Sequence, residues 1–159
     1  MAAIGDVDEA NSAIGVALLH VAAGHRAMLA TIQNEMFDLG ADLATPGEDF
    51  TPSEMVLRIT AAQVDRLERE IDAMNAELEP LRSFILPGGE GGAAYLHLAR
   101  AAVRRAERAA VAAAARMALN PQALAYINRL SDHLFVLARL AAKGAGGDIL
   151  WQPGATRNG

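Results

Sequence analysis

Along five stretches of this 159-residue chain the apolar residues recur at alternating steps of three and four, the spacing that buries one stripe of a helix against its neighbours. Val64, Leu67, Ile71, Met74, Leu78 and Leu81 show it most plainly, and Leu29, Ile32, Met36, Leu39 and Leu43 repeat it. Near the C-terminus the seam is Leu124, Ile127, Leu130, Leu134, Leu137 and Ala141. A shorter one carries Ile14, Leu18 and Val21. The remaining seam is built on small residues: Leu96, Ala99, Val103, Ala106, Ala110 and Ala113. Hydrophobic residues make up 52% of the chain but aromatic residues only 4%, which suits helices packed closely on alanine. The expected fold is all-α, a five-helix bundle in a single domain.

Start and stop signals place the helices over about 7–24, 25–44, 52–79, 93–119 and 121–143, with a flexible tail over 144–159. Asp6 and Glu9 form a D-x-x-E start, and Gly24 suits the end of the first helix. Thr51-Pro52-Ser53-Glu54 combines a capping box with proline at the first helical position, which predicts the third helix start there. Pro80 predicts its end at Glu79. Asn120-Pro121 is another cap and first-turn pair. Off the seam of the second helix, Gln33, Asn34, Glu35, Asp38 and Asp42 read as mostly solvated, with Gln33 to Glu35 able to face a partner.

One charge pattern does not follow from packing. Arg100, Arg104 and Arg108 lie at i, i+4 and i+8 on one helix face, with Arg105 beside them. Like-charge pairs at this spacing cost about 0.2–0.5 kcal/mol each, and Glu107 is the one carboxylate on that helix to offset them. Such a cluster is either a solvated basic face or a seat for an anion. The chain as a whole carries a net charge of -5, so the positive charge is local, and general binding to nucleic acid or to an anionic membrane is not expected.

Other chemistry is excluded by residue type. The chain has no cysteine, which removes disulfides, thiolate metal sites and a cysteine nucleophile. His20, His25, His97 and His133 form no i,i+4 pair and no metal-ligand pattern with carboxylates, so each reads as a surface or helix-contact residue and no metal site is expected. The opening MAAIGDVDEAN lacks the basic and apolar regions of a targeting signal, and Arg116 interrupts the longest alanine-rich tract. A soluble, cytoplasmic protein is the expectation. Asn128, Ser131 and Asp132 lie one turn apart and serve either a polar ligand or a helix–helix contact.

The segment Ser83-Phe84-Ile85-Leu86-Pro87-Gly88-Gly89 throws apolar side chains into a turn. Taken alone it is better read as a plug for the bundle end than as an apolar wall for a ligand. Its glycines are not a phosphate-binding loop, because no Gly-Lys-Ser/Thr follows them. Trp151, in the tail, is expected to pack back onto the body.

Four segments together resemble the PduO-type ATP:cob(I)alamin adenosyltransferases: Gly5-Asp6-Val7-Asp8-Glu9-Ala10-Asn11-Ser12-Ala13-Ile14-Gly15, Gln33 to Ala44, Phe84 to Gly89, and Arg104-Arg105-Ala106-Glu107-Arg108 with Asn128-Arg129-Leu130-Ser131-Asp132. The resemblance implies a homotrimer with sites between subunits, and transfer of the 5′-deoxyadenosyl group of ATP to cob(I)alamin with release of triphosphate. It implies ATP with Mg²⁺, and cob(I)alamin as substrate. By the same likeness Arg104, Arg105, Glu107, Arg108 and Asn128 bind ATP. Asp8 and Arg100 pair across a subunit boundary, and Phe84 faces the corrin. The implied partners are a reductase and an adenosylcobalamin-dependent enzyme.

Family members carry a T-R-x-G-D-x-G-x-T stretch ahead of the segment that matches Gly5, and the sequence read here lacks it. Ala10 also replaces the usual leucine. Two further readings therefore stand beside the enzyme: a non-catalytic corrinoid-binding or delivery bundle that has lost part of the ATP site, and a structural scaffold whose arginines pair across an interface.

Overall fold

The structure is a computed structural model that describes residues 2–157. The last two residues of the expected tail, 158 and 159, lie outside the described residues. Five helices are present among those described: α1 Ala2–His20, α2 Ala23–Leu43, α3 Ala61–Asn75, α4 Ala93–Ala114 and α5 Pro121–Lys143. α4 packs against both α1 and α5; α2 packs on α1 and also meets α5, and α3 packs on α5. The expected seams form most of the core; of the third, Val64, Leu67 and Met74 are buried, Ile71 and Leu78 are half-buried, and Leu81 lies beyond the end of α3 and is 42% exposed. Leu96, Ala99, Val103, Ala106 and Ala110 of α4 are fully enclosed, as are Ile127, Leu130, Leu134 and Leu137 of α5. With alanine at three of those five positions, the α4 backbone can lie close to both neighbours, and arginines at its edge project from a well-fixed support.

The boundaries of α1, α2 and α4 differ from the predicted ones by a few residues. The first helix begins at Ala2, not 7, and Asp6 lies inside it without capping it. It ends at His20, and Gly24 falls in the first turn of α2. The fourth helix stops at Ala114 rather than 119.

The largest difference is the third helix, which spans 61–75 rather than 52–79. Thr51 and Ser53 are used in turns instead. The Thr51 amide donates to Asp49 Oδ1 at 2.9 Å, and the Val56 amide to Ser53 Oγ at 3.1 Å. What holds this segment extended is Asp42, which is 1% exposed and not solvated as its position off the seam suggested. Its carboxylate accepts from Arg58 Nη1 at 2.8 Å, from the Ile59 amide at 2.7 Å and from Asn120 Nδ2 at 2.7 Å. An extended residue 59 is needed to reach Asp42, so the helix starts only after it. Thr60 is the N-cap, with its amide donating to Gln63 Oε1 at 2.9 Å. Asn120 also caps α5, accepting from the Gln122 amide at 3.0 Å, as the sequence predicts.

At the opposite end, the Pro-Gly-Gly loop sits close against helix termini. Gly92 has φ +88°, and a Cβ there would lie 2.9 Å from the His20 carbonyl oxygen. Only glycine fits this approach of the α4 start to the α1 end without displacement.

Candidate active site

The arginines of α4 divide between two neighbours. Arg104 and Glu107 face α5. Arg104 Nη1 donates to Glu107 Oε2 at 2.5 Å, and Asn128 Nδ2 of α5 donates to Glu107 Oε1 at 2.7 Å. The chain of contacts continues along α5, where Asn128 Oδ1 accepts from Arg129 Nη2 at 2.8 Å and Arg129 Nη2 reaches Asp132 Oδ2 at 2.7 Å. Glu107 therefore fixes a guanidinium and an amide at once. Three of the expected ATP ligands, Arg104, Glu107 and Asn128, are brought into one contact.

Arg105 points the other way. It pairs with Asp6 Oδ1 at 3.2 Å and with Glu9, both on α1. Part of the like-charge repulsion expected on α4 is thus offset by a neighbouring helix rather than by Glu107 alone. Arg108 is exposed one turn beyond Arg104, with no hydrogen bond or ion pair among the described residues. A fixed Arg104 with a free Arg108 on the same stripe makes a surface suited to bidentate contacts with phosphate oxygens.

Arg100, one turn before Arg104, lies between that stripe and an aromatic cavity of ≈ 690 Å³. Phe84, Ile85, Phe135 and Trp151 supply apolar walls, and His97 and Arg100 supply polar groups from α4. Phe84 is 77% exposed, so it does not plug the bundle end as expected from its residue type; it stands as a wall. Its ring meets Trp151 edge to face at 5.9 Å between centroids. The tail holds this wall in place: the Leu86 amide donates to the Ile149 carbonyl at 2.7 Å, and the Trp151 amide to the Phe84 carbonyl at 2.8 Å. Trp151 does pack back onto the body, and the loop and tail pair as a short bridge.

Asp8 is exposed on α1 and borders a separate groove with Met36 and Phe37 of α2. Within one chain it makes no ion pair with Arg100 among the described residues. His97, Phe135 and the tail's part in the cavity were not singled out from sequence. The available signal was that His97 and Arg100 sit three apart on one face of α4, and Phe135 three beyond Asp132 on α5.

His97 is 3% exposed, and burial, reinforced by the Arg100 charge and opposed by Asp148, lowers its pKa. It is neutral at neutral pH. His133, also enclosed, bonds Glu70 of α3 at 2.7 Å. Glu70 stands beside Arg66, which meets Glu35 Oε2 at 2.6 Å; that oxygen also accepts from Tyr126 at 2.6 Å. Burial and this carboxylate push the Tyr126 phenol upward, so it remains a donor. The group ties α2, α3 and α5 together. Glu35 therefore faces inward rather than toward solvent. Among the described residues no cluster of three histidine or acidic side chains could hold a metal ion, and no helix is long and apolar enough to cross a membrane.

An arginine stripe beside an aromatic cavity is an arrangement with room for a polyanion next to a large, flat apolar group. The sequence pattern of the family described as cobalamin adenosyltransferase matches residues 1–141. A corrinoid adenosyltransferase of Mycobacterium tuberculosis is 47% identical, over 99% of this chain and 82% of its own. A cobalamin adenosyltransferase of Cupriavidus metallidurans is 46% identical, over 94% and 79%. Among solved structures, a variant PduO-type ATP:corrinoid adenosyltransferase from Lactobacillus reuteri, complexed with cobalamin and ATP, superposes with a TM-score of 0.84 at 35% identity, covering 96% of this chain and 83% of that one. Another variant of that enzyme, complexed with ATP, gives 0.83 at 34% identity, covering 95% and 86%. This chain belongs to the cobalamin adenosyltransferase family.

Proposed function

We propose that this protein transfers the 5′-deoxyadenosyl group of ATP to cob(I)alamin. The observation that carries the reading is the adjacency on α4 of the Arg104–Glu107–Asn128 contact and the Phe84 cavity, with Arg100 between them. The cobalt(I) electron pair attacks C5′ of ATP; a Co–C bond forms, the C5′–O bond breaks, and its electrons leave with triphosphate. No proton has to move. The work of the protein is to align the two reactants and to stabilise charge on the leaving oxygen.

Arg104, held by Glu107, and the free Arg108 contact the triphosphate, and Asn128 contacts the nucleotide. Arg105 joins them by exchanging Asp6 and Glu9 for phosphate. Phe84 lies against a face of the corrin, where an apolar ring offers cobalt no ligand and keeps water away. Asp8 is exposed and Arg100 lies at a cavity edge, an arrangement that lets them pair between copies in a homotrimer whose sites lie at subunit boundaries. The described residues supply no protein cluster for Mg²⁺. A magnesium ion accompanying ATP would be held by phosphate oxygens and water, as is common for this ion. A reductase that delivers cobalt(I) and an acceptor enzyme for adenosylcobalamin are the partners this chemistry requires.

The test is an assay of chemically reduced cobalamin with ATP, followed by the spectral change on Co–C bond formation. Formation of adenosylcobalamin with stoichiometric triphosphate is the expected result. Cobalamin binding without any ATP binding by calorimetry would replace the enzyme with a corrinoid carrier.

A further inference from the structure

We infer that His97 is a specificity residue of the aromatic cavity, donating a hydrogen bond from its Nε2–H to a carbonyl on the rim of the bound corrinoid. The inference deepens the corrinoid reading of the cavity and rests on it. His97 lines the cavity between Arg100 and Phe135, and its ring meets Phe135 edge to face at 6.1 Å between centroids. The side chain is almost entirely enclosed, yet its Nδ1 has no hydrogen-bond partner among the described residues. Among the described residues neither nitrogen of this ring has a hydrogen-bond partner, whereas His133, whose Nδ1 is likewise unpartnered, uses its Nε2 on Glu70 at 2.7 Å. A buried polar group without a partner is costly, and native structures retain few of them.

The tautomer follows from where the two nitrogens lie. Nδ1 is sealed, and a sealed lone pair is a smaller loss than a sealed N–H, because an orphaned donor is the rarer case in folded proteins. The proton therefore belongs on Nε2, which is not among the enclosed orphan atoms. Arg100, one turn away and also with an unpartnered, enclosed Nε, favours the uncharged ring and adds a second donor to the same wall. The polar groups α4 presents here are thus donors set in an apolar surround. Such a wall accepts a flat apolar ligand whose edge bears carbonyl oxygens. The corrin macrocycle, fringed with carboxamides, has this chemistry; a purely hydrocarbon ligand would leave the His97 donor unpaired.

The experiment measures cob(II)alamin binding by quenching of Trp151, the chain's one tryptophan and part of the cavity wall, in the full chain and in two variants. His97→Phe keeps a ring and removes the donor; His97→Gln restores an N–H. The expected result is a rise of about tenfold in the cob(II)alamin Kd for His97→Phe, the size of one lost hydrogen bond near the top of its usual range. His97→Gln stays within about threefold of the wild type, and the ATP Kd is unchanged in both. Equal binding by the wild type and His97→Phe overturns the inference and leaves the enzyme reading intact. So does a loss of ATP affinity in parallel with corrinoid affinity, which would make His97 a support of the fold. Wild-type protein that binds ATP but no cob(II)alamin overturns both.

Discussion

Glu107 and Asn128 meet across the α4–α5 seam through a 2.7 Å hydrogen bond, and the other oxygen of the same carboxylate holds Arg104 at 2.5 Å. The acidic residue in a basic stripe thus works as a clamp. It orients one guanidinium and one amide while leaving the outer stripe positively charged. Removing it frees both partners. Glu107→Ala is expected to lower kcat/KM for ATP by roughly tenfold or more, the range for one misplaced contact to developing charge. Thermal stability should change little, because Arg104 is half exposed and such pairs contribute about 0–1 kcal/mol. A normal kcat/KM in a folded Glu107→Ala protein would remove the clamp from the mechanism.

Arg104 and Arg105 are neighbours in sequence but not in role. Arg105 is already bound to Asp6 and Glu9, so a phosphate must compete with two carboxylates for it. Arg104→Ala should therefore weaken ATP binding more than Arg105→Ala does. Glu9→Gln should tighten it by about twofold to fivefold, the scale of an exposed ion pair released for a better partner. Titration calorimetry of the three variants at one salt concentration decides the matter. Weaker ATP binding by Glu9→Gln would show that Glu9 holds Arg105 in its productive position.

Asp42 is the anchor of the long segment between α2 and α3. It is enclosed with Arg58, whose side chain is nearly as buried, and it also holds Asn120 at the start of α5. Asp42→Ala leaves a buried guanidinium without its counter-charge, a change that typically costs about 3–5 kcal/mol. Urea unfolding should show that loss, and α5 should fray at its N-terminus in hydrogen exchange. A cost under about 1 kcal/mol would mean that water replaces the carboxylate.

The same residue shows where the sequence stops being readable. The seams of α2, α4 and α5 could be placed from local spacing because each seam residue reports its own burial, and all but Ala113 and Leu124 at the seam ends are buried. Asp42 lies off its seam, and nothing local says that Arg58 and Asn120, far along the chain, converge on it. That convergence overrode the well-formed capping box at Thr51 and moved the third helix to Ala61. The site behaved in the same way. Arg104, Glu107 and Asn128 could be named from motif and helix spacing. The split of Arg105 toward α1 could not, nor could the pairing of the Phe84 loop with the tail, since both depend on contacts between distant segments. Hydrophobicity alone places Phe84 inside; the 2.8 Å bond from the Trp151 amide to its carbonyl holds it as a wall.

His97 also gives the protein a pH signature. Burial, then the Arg100 charge, lowers its folded pKa below the ordinary 6.5, with Asp148 opposing. In the unfolded chain the ring takes a proton as pH falls below about 6.5, while in the fold it does not until lower pH. The unfolded state therefore binds more protons in that window, and stability must rise with pH through it. The contribution of the neutral ring is complete above about pH 6.5 and is lost progressively as pH falls toward the depressed folded value. His97→Gln removes the titration and should flatten this part of the profile. Urea unfolding of both proteins at pH 7.5 and pH 5.5 measures the difference. The gap between wild type and variant should shift in the variant's favour at the lower pH. Parallel losses in the two proteins would remove His97 from the acid response.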